Sequence, residues 1–469
     1  MHPASGILLA LAAVVPAPPL DADVAGQLRG RLAEPAVRDP AAPQVPARIA
    51  GGLLLFSMTG PDNAVAVRPL PDVTGDGVDE IAVGIDESGV DNVFVVDGAS
   101  SGTATVVWSW MSNGGLSGGS PYGEQCLVVA GDTDGGGDAD LLVGTAWGGR
   151  TAYALDSLAG AELWRYDTYL PPSPASGWIY SLAQLSDVTG DGVPEAAFGA
   201  GSDSDAVTAV DGASAGSAIE IWRWSAPDAV SSVRNLGDVD GDGADDLLVA
   251  VGDNGHLVVV LDGDPPTAAG AFLWQAPTGA PSAYAVGLLG DVTGDGVNEA
   301  LAALWTLDGS AVRCLNGANG AQVWASTAVS DYAMAVEQIG DVGGDGAPDV
   351  VVASWENAVQ VLDGATGARI WKRSVGSLRG GDVWTARATG DLNGDGFDDV
   401  LAGSFDGGVY ALSGVNGWPF WRFETGNRVF SVHPVGDLNG DGRPEVVAGT
   451  QDTTSKVVVY VLEGDAGIP

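Results

Sequence analysis

Cysteine is nearly absent: Cys126 and Cys314 are the two in 469 residues. No CxxC pair occurs, which removes that route to redox or zinc chemistry, and two cysteines far apart are expected as separate buried thiols. Basic residues are also scarce. Lys and Arg together number 19 against 61 Asp and Glu, giving a formal net charge of −42. Such a surface repels phosphate backbones and anionic lipid, so neither nucleic acid nor a membrane is expected as a partner. The histidines are His2, His256 and His433, and the lysines are Lys372 and Lys456. There is no HExxH and no nucleophile elbow in a strand-to-helix context, so no catalytic residue is assigned. No apolar run is long enough to cross a bilayer. The run at residues 7–15 suits a secretory signal, so residues 1–22 are read as a signal peptide, with cleavage after Ala17 or Ala22. Residues 23–50 are read as an Ala/Pro-rich linker with a short helix near Val24–Ala33.

What is abundant is a nine-residue Asp/Gly loop. It first appears as Asp72-Val73-Thr74-Gly75-Asp76-Gly77-Val78-Asp79-Glu80 and returns seven times, at steps of roughly 50 residues. Oxygen side chains fall at positions 1, 3, 5 and 9, and a carbonyl is available at position 7. Copies one, three and five read Asp72, Thr74, Asp76, Glu80; Asp187, Thr189, Asp191, Glu195; and Asp291, Thr293, Asp295, Glu299. Copy four reads Asp238, Asp240, Asp242, Asp246. Copies seven and eight place Asn third: Asp391, Asn393, Asp395, Asp399 and Asp437, Asn439, Asp441, Glu445. Copy six keeps Asp341, Asp345 and Asp349 around Gly343. Copy two keeps Asp132, Asp134 and Asp140, with Gly136 fifth, and is expected to be the weakest site. The seventh-position carbonyls belong to Val78, Asp138, Val193, Ala244, Val297, Ala347, Phe397 and Arg443.

Carboxylates and one carbonyl gathered on a short loop, with Gly sixth for a sharp turn, suit a hard cation. Plain Asp/Gly turns would not need carboxylates at fixed positions. Calcium fits oxygen-only ligands on flexible loops better than magnesium or zinc, and up to eight ions are expected. An EF-hand or dockerin loop would be followed by a helix. Here β formers follow, as in Ile81-Ala82-Val83 and Val350-Val351-Val352, so each loop turns one strand into the next.

Every repeat carries four strand signals. Strand A ends at the loop and strand B follows it. Strand C ends in a turn such as Leu362-Asp363-Gly364, and strand D ends in a tryptophan: Trp108, Trp164, Trp222, Trp274, Trp324, Trp371 or Trp421. Four short strands per unit describe a propeller blade. The eighth repeat stops after strand C. Its missing strand is expected at the other end of the chain, where residues 52–56 match Gly367–Trp371 with Phe56 in the tryptophan's place. The expected fold is therefore all-β: one eight-bladed propeller over residues 51–469, closed by the N-terminal strand so that no sheet edge stays open.

The loops resemble FG-GAP/VCBS repeats, the calcium-binding units of integrin α-subunit propellers and of many secreted bacterial proteins. The resemblance implies calcium at the A–B turns on one face, held by the loop residues named above. The turn and tryptophan of Leu362–Trp371 are similar to the tryptophan-docking motif of quinoprotein-like propellers. Those enzymes carry an adjacent cysteine pair, and no Cys-Cys occurs here. The expected function is a secreted, monomeric binding or adhesion module for an extracellular glycan or protein ligand. A calcium-dependent polysaccharide lyase-like enzyme and a structural scaffold are the alternatives. For the ligand, the position four before each loop is informative, because it varies while its neighbours are apolar. It holds Arg68, Val128, Ala183, Arg234, Gly287, Glu337, Arg387 and His433. Seven before the loop stand Tyr180, Tyr284, Trp384 and Phe430. Trp147, Trp305, Trp355, Phe405, Lys372, Arg373, Arg379 and Arg428 are expected on the same face. Blades six to eight, with Trp384, Arg387, Arg428 and His433, are expected to be central.

Overall fold

The computed structural model describes residues 54–116, 125–146, 148–168, 177–202, 205–252, 255–265, 267–279, 282–306, 310–375, 381–451 and 456–465. The expected signal and linker, the first residues of the closing strand, Trp147 and Arg379 lie outside them. The described strands form eight antiparallel four-stranded meanders, one per repeat. Blade six is typical: Ala333–Ile339, Asp349–Ser354, Ala358–Leu362 and Arg369–Ser374 pair in sequence order. Strand B is a run of small and β-branched residues, and in blade six all of it is buried, as a strand covered on both faces must be. Among the described residues no helix follows an ion loop; strand B opens at or beside the ninth position.

The eighth blade is completed from the N-terminus. Leu54–Thr59 pairs with Val457–Leu462, with Leu54 opposite Leu462 and Phe56 opposite Val461. In blade six, Arg369 stands opposite Leu362 and Trp371 opposite Val361. Phe56 thus holds the register of the tryptophan, as its sequence position implies, and it is fully buried.

The tryptophans seal the blades together. Each donates its indole N–H to a backbone carbonyl in the C–D turn of the next blade: Trp108 to Ser157, Trp164 to Gly212, Trp222 to Gly263, Trp274 to Gly317, Trp324 to Gly364, Trp371 to Gly414 and Trp421 to Gly464, at 2.5–3.0 Å. The ring also lies on the same turn. At Gly367, whose φ is +70°, a Cβ would sit 2.5 Å from Trp324 Cε3. Only glycine meets both demands. Gly367→Ala should therefore cost about 2–3 kcal/mol through overpacking and a strained φ, read as a lower midpoint of denaturant unfolding. An unchanged midpoint would show that the turn is loosely packed. Cys126 and Cys314 are buried, and neither forms a disulfide among the described residues; burial pushes the Cys314 thiol up, out of reactive range.

Candidate cation loops and axial channel

Each ion loop folds around its first aspartate. In blade one, Asp72 Oδ1 accepts the N–H of Gly75 at 2.7 Å and Oδ2 that of Gly77 at 2.7 Å. The same two contacts recur at Asp187, Asp291, Asp341, Asp391 and Asp437. The position-six N–H holds the carboxyls of Asp72, Asp187, Asp291 and Asp341 below the usual range. The glycines at positions four and six both have positive φ in all eight loops, +79° and +91° in blade one. Sequence reading accounted for the sixth only. The fourth is needed equally, because two successive left-handed turns aim the backbone donors inward.

The ninth-position carboxylates are of another kind. Glu80, Asp140, Glu195, Asp246, Glu299, Asp349, Asp399 and Glu445 are all buried. Burial pushes Asp246 up to about 6 and Asp399 and Glu445 up to about 7, against the backbone N–H groups that bond them. Glu80 Oε1 is buried and meets no hydrogen-bond partner among the described residues. Carboxylate oxygens of Asp72, Asp76 and Glu80 all lie within 4.8 Å of one another, as do those of Asp238, Asp240 and Asp246. A buried oxygen without a donor, beside two more carboxylates, fits a hard cation and fits little else. Gly136 does not open copy two, since Asp132, Asp134 and Asp140 converge in the same way.

One further set of groups was missed in the sequence. The Asp-Gly turn after strand C sits directly on the ion loop of its own blade. At Gly364 a Cβ would lie 1.9 Å from Pro348 O, and at Gly414 it would lie 1.8 Å from Asp398 O. The turn residue before that glycine reaches the loop. Asn316 donates to Asp295 Oδ2 at 2.6 Å, and Glu463 joins Asp441 and Asp465 in a cluster within 4.8 Å. The recurring turn was visible in the sequence, but its height above the loop was not.

On the axis, the minus-four residues converge. Arg68 Nη1 donates to His433 Nε2 at 2.6 Å, across the seam between blades one and eight. Arginine can only donate, so the imidazole accepts at Nε2 and is neutral. Burial holds His433 well below its ordinary pKa, and Arg387, Arg68 and Arg234 add to the effect. Arg387 Nη1 lies 3.5 Å from Glu337 Oε1. Arg234, Glu337 and Arg387 line a cavity of about 480 Å³, with Gln125 and the strand A backbones of blades five and six.

The minus-seven residues turn out to be bulges. Register slips at Val65, Tyr180, Ser231, Tyr284, Met334, Trp384 and Phe430, each the extra residue of its strand A. The Trp384 ring lies between its own blade and blade six. Trp384, 6% exposed, stacks on Phe405 at 4.3 Å and lies 6.4 Å from Trp355. Trp355 contacts Trp305 and Tyr332, Trp305 stacks on Tyr284, and Phe405 meets Phe430. Within the aromatic arc of blades five to eight, Tyr284, Trp355 and Trp384 are buried, and Trp305, Tyr332, Phe405 and Phe430 are half-buried. Within it, the indole N–H groups of Trp305, Trp355 and Trp384 have no partner among the described residues. Arg428 lies over Phe405 at 4.9 Å. Lys372 and Arg373 belong to outer strand D of blade six instead; Lys372 pairs with Glu356, and Arg373 lies 3.8 Å over the ring of Trp418.

Fold and sites define an eight-bladed β-propeller with an acidic loop on every blade and a cationic axis. Residues 349–463 match the sequence profile of the family described as the lambda-carrageenase beta-propeller domain. No curated protein matches the chain. Among solved structures, it is similar to Sqt1 of Saccharomyces cerevisiae (11% identity, 87% of this chain and 99% of that one, TM-score 0.63). It is also similar to the computationally designed Ika8 protein (14%, 88% and 100%, TM-score 0.58) and to the C-terminal WD40 domain of Sif2 (14%, 88% and 99%, TM-score 0.56). At these identities the likeness is one of fold.

Proposed function

We propose that this chain is a secreted, calcium-loaded binding propeller of the FG-GAP/VCBS kind, taking an anionic extracellular glycan in its axial channel. The observation that carries this reading is the convergence of Arg68, Arg234 and Arg387 on the axis of a protein with net charge −42. Cations concentrated at one internal place, in so acidic a chain, point to an anionic ligand. The profile match over blades six to eight supports a glycan, since the family is named for a carrageenase. The test is a panel of acidic glycans screened with calcium against the wild type, Trp384→Ala and Arg387→Ala. Binding should fall at least about tenfold in Arg387→Ala. Unaltered binding in both variants would place the ligand elsewhere.

The same match favours a second reading, an enzyme that cleaves an acidic polysaccharide. Incubation with such polymers, followed by reducing-end and ultraviolet assays of the products, separates cleavage from binding.

A further inference from the structure

We infer that the residue before the C–D turn glycine is a further cation ligand, so that each ion is held between the A–B loop and the C–D turn of one blade. The inference rests on the calcium-loaded reading above and extends its sites beyond the nine-residue loops.

The count of oxygens calls for such a ligand. A loop offers at most four side chains and the position-seven carbonyl, whereas calcium takes about six to eight oxygens. Copies two and six are shorter still, with Gly136 fifth and Gly343 third. The C–D turn stands directly over the loop. Its glycine N–H bonds the ninth-position carboxylate, at 3.0 Å from Gly263 to Asp246 and 3.1 Å from Gly364 to Asp349. That bond fixes the height of the preceding residue, which is acidic in six blades: Asp97, Asp156, Asp211, Asp262, Asp363 and Glu463.

The acidic side chain has two oxygens for two tasks. Oδ1 of Asp97, Asp156, Asp211 and Asp262 accepts the N–H two residues on, at 2.7–2.9 Å. Closing the turn thus uses one oxygen and leaves the other. On the loop side, the charge of Asp262 acts against those of Asp240 and Asp242, and that of Asp363 against Asp349. Carboxylates facing one another repel unless a cation stands between them.

In blade five an uncharged residue makes the same approach. Asn316 Nδ2 donates to Asp295 Oδ2 at 2.6 Å and to Thr293 Oγ1 at 3.0 Å, the fifth and third positions of the loop. Asn316 is 7% exposed, and its Oδ1 is buried with no hydrogen-bond partner among the described residues. A buried amide oxygen without a donor, on a side chain already touching two loop ligands, is placed for a metal. Half a turn about χ2 exchanges the amide nitrogen and oxygen and brings Oδ1 to the loop. Blade seven has Ser413, 8% exposed, whose Oγ is likewise buried and without a partner among the described residues. Blades five and seven therefore lack the negative charge that the other six carry at this position.

The test uses the full chain and calcium. Wild type and Asn316→Asp are melted with calcium and with excess EDTA. The variant sets a second carboxylate against Asp295, so it should melt lower than wild type in EDTA and no lower in calcium. A residue that only packs would lower both melts equally, and that result overturns the inference. Equilibrium dialysis with elemental analysis gives a second readout, in blade six, where Gly343 leaves the loop short. Asp363→Asn keeps the shape and removes the charge. It should weaken one calcium at least about tenfold, so that the chain retains one ion fewer at limiting free calcium. An equal count overturns the inference, and this count decides it should Asn316→Asp not fold. Wild type that retains calcium while both variants behave like it overturns this inference alone. Wild type that retains none overturns the calcium reading with it.

Discussion

Chelation with excess EDTA should lower the melting temperature by more than about 10 °C. The expectation follows from linkage. A ligand at a hundred times its Kd stabilises the fold by about 2.7 kcal/mol per site, and typical folded proteins have a margin of about 5–15 kcal/mol. Two or three occupied loops would already match much of that margin. Eight divalent cations would also offset sixteen of the 42 net negative charges. The loss should reach beyond the loops themselves. The buried ninth-position carboxylate accepts the N–H of the C–D turn glycine, at 2.9 Å from Gly212 to Glu195 and 3.1 Å from Gly414 to Asp399. The carbonyl of that same glycine receives the tryptophan of the preceding blade. An ion in one blade is thus two hydrogen bonds from the seam before it. Differential scanning with elemental analysis is the check. A melt that EDTA does not move, together with no bound metal, refutes the cation reading.

Deleting residues 1–57 should turn a soluble protein into one that aggregates, whereas deleting residues 1–50 should leave it folded and monomeric. The longer deletion removes most of the strand that pairs with Val457–Leu462, including Phe56, which packs with Ile81, Val96 and Val461. It would bare an apolar edge on blade eight and break the ring between blades eight and one. Size-exclusion chromatography with light scattering distinguishes the outcomes. Equal solubility and a monomer mass for both deletions would mean that the ring closes without its terminal strand.

The blades were legible because each is written in local signals: an Asp/Gly loop, a strand, a turn and a tryptophan at fixed offsets. The closing strand was legible for the same reason, since a repeat that ends early must find its last strand elsewhere. The axial cluster was half legible. Arg68, Arg234, Arg387 and His433 could be picked out as the variable position of a regular series, and the structure brings them together. The aromatic arc was misjudged in part. Nothing local in Trp384 tells an exposed ring from one that a bulge rotates between two blades, because that depends on the neighbouring blade. Lys372 and Arg373 were displaced for a similar reason: their outer strand lies against Glu356 and Trp418, contacts that no local pattern records. The second positive-φ glycine escaped because Gly at position four looks like ordinary turn composition.

The pairing of Phe56 with Val461 has a consequence in time. As the chain emerges from the ribosome, the strand made first finds its partner only after every other blade has been synthesised. Until then the terminal strand has only its short parallel contact, Phe56 with Gly102 and Ser57 with Thr103, and must avoid joining another chain. Contacts between such distant positions close slowly, and species waiting on them are prone to aggregate. Final closure should therefore be the slow phase of refolding, and the one most sensitive to protein concentration.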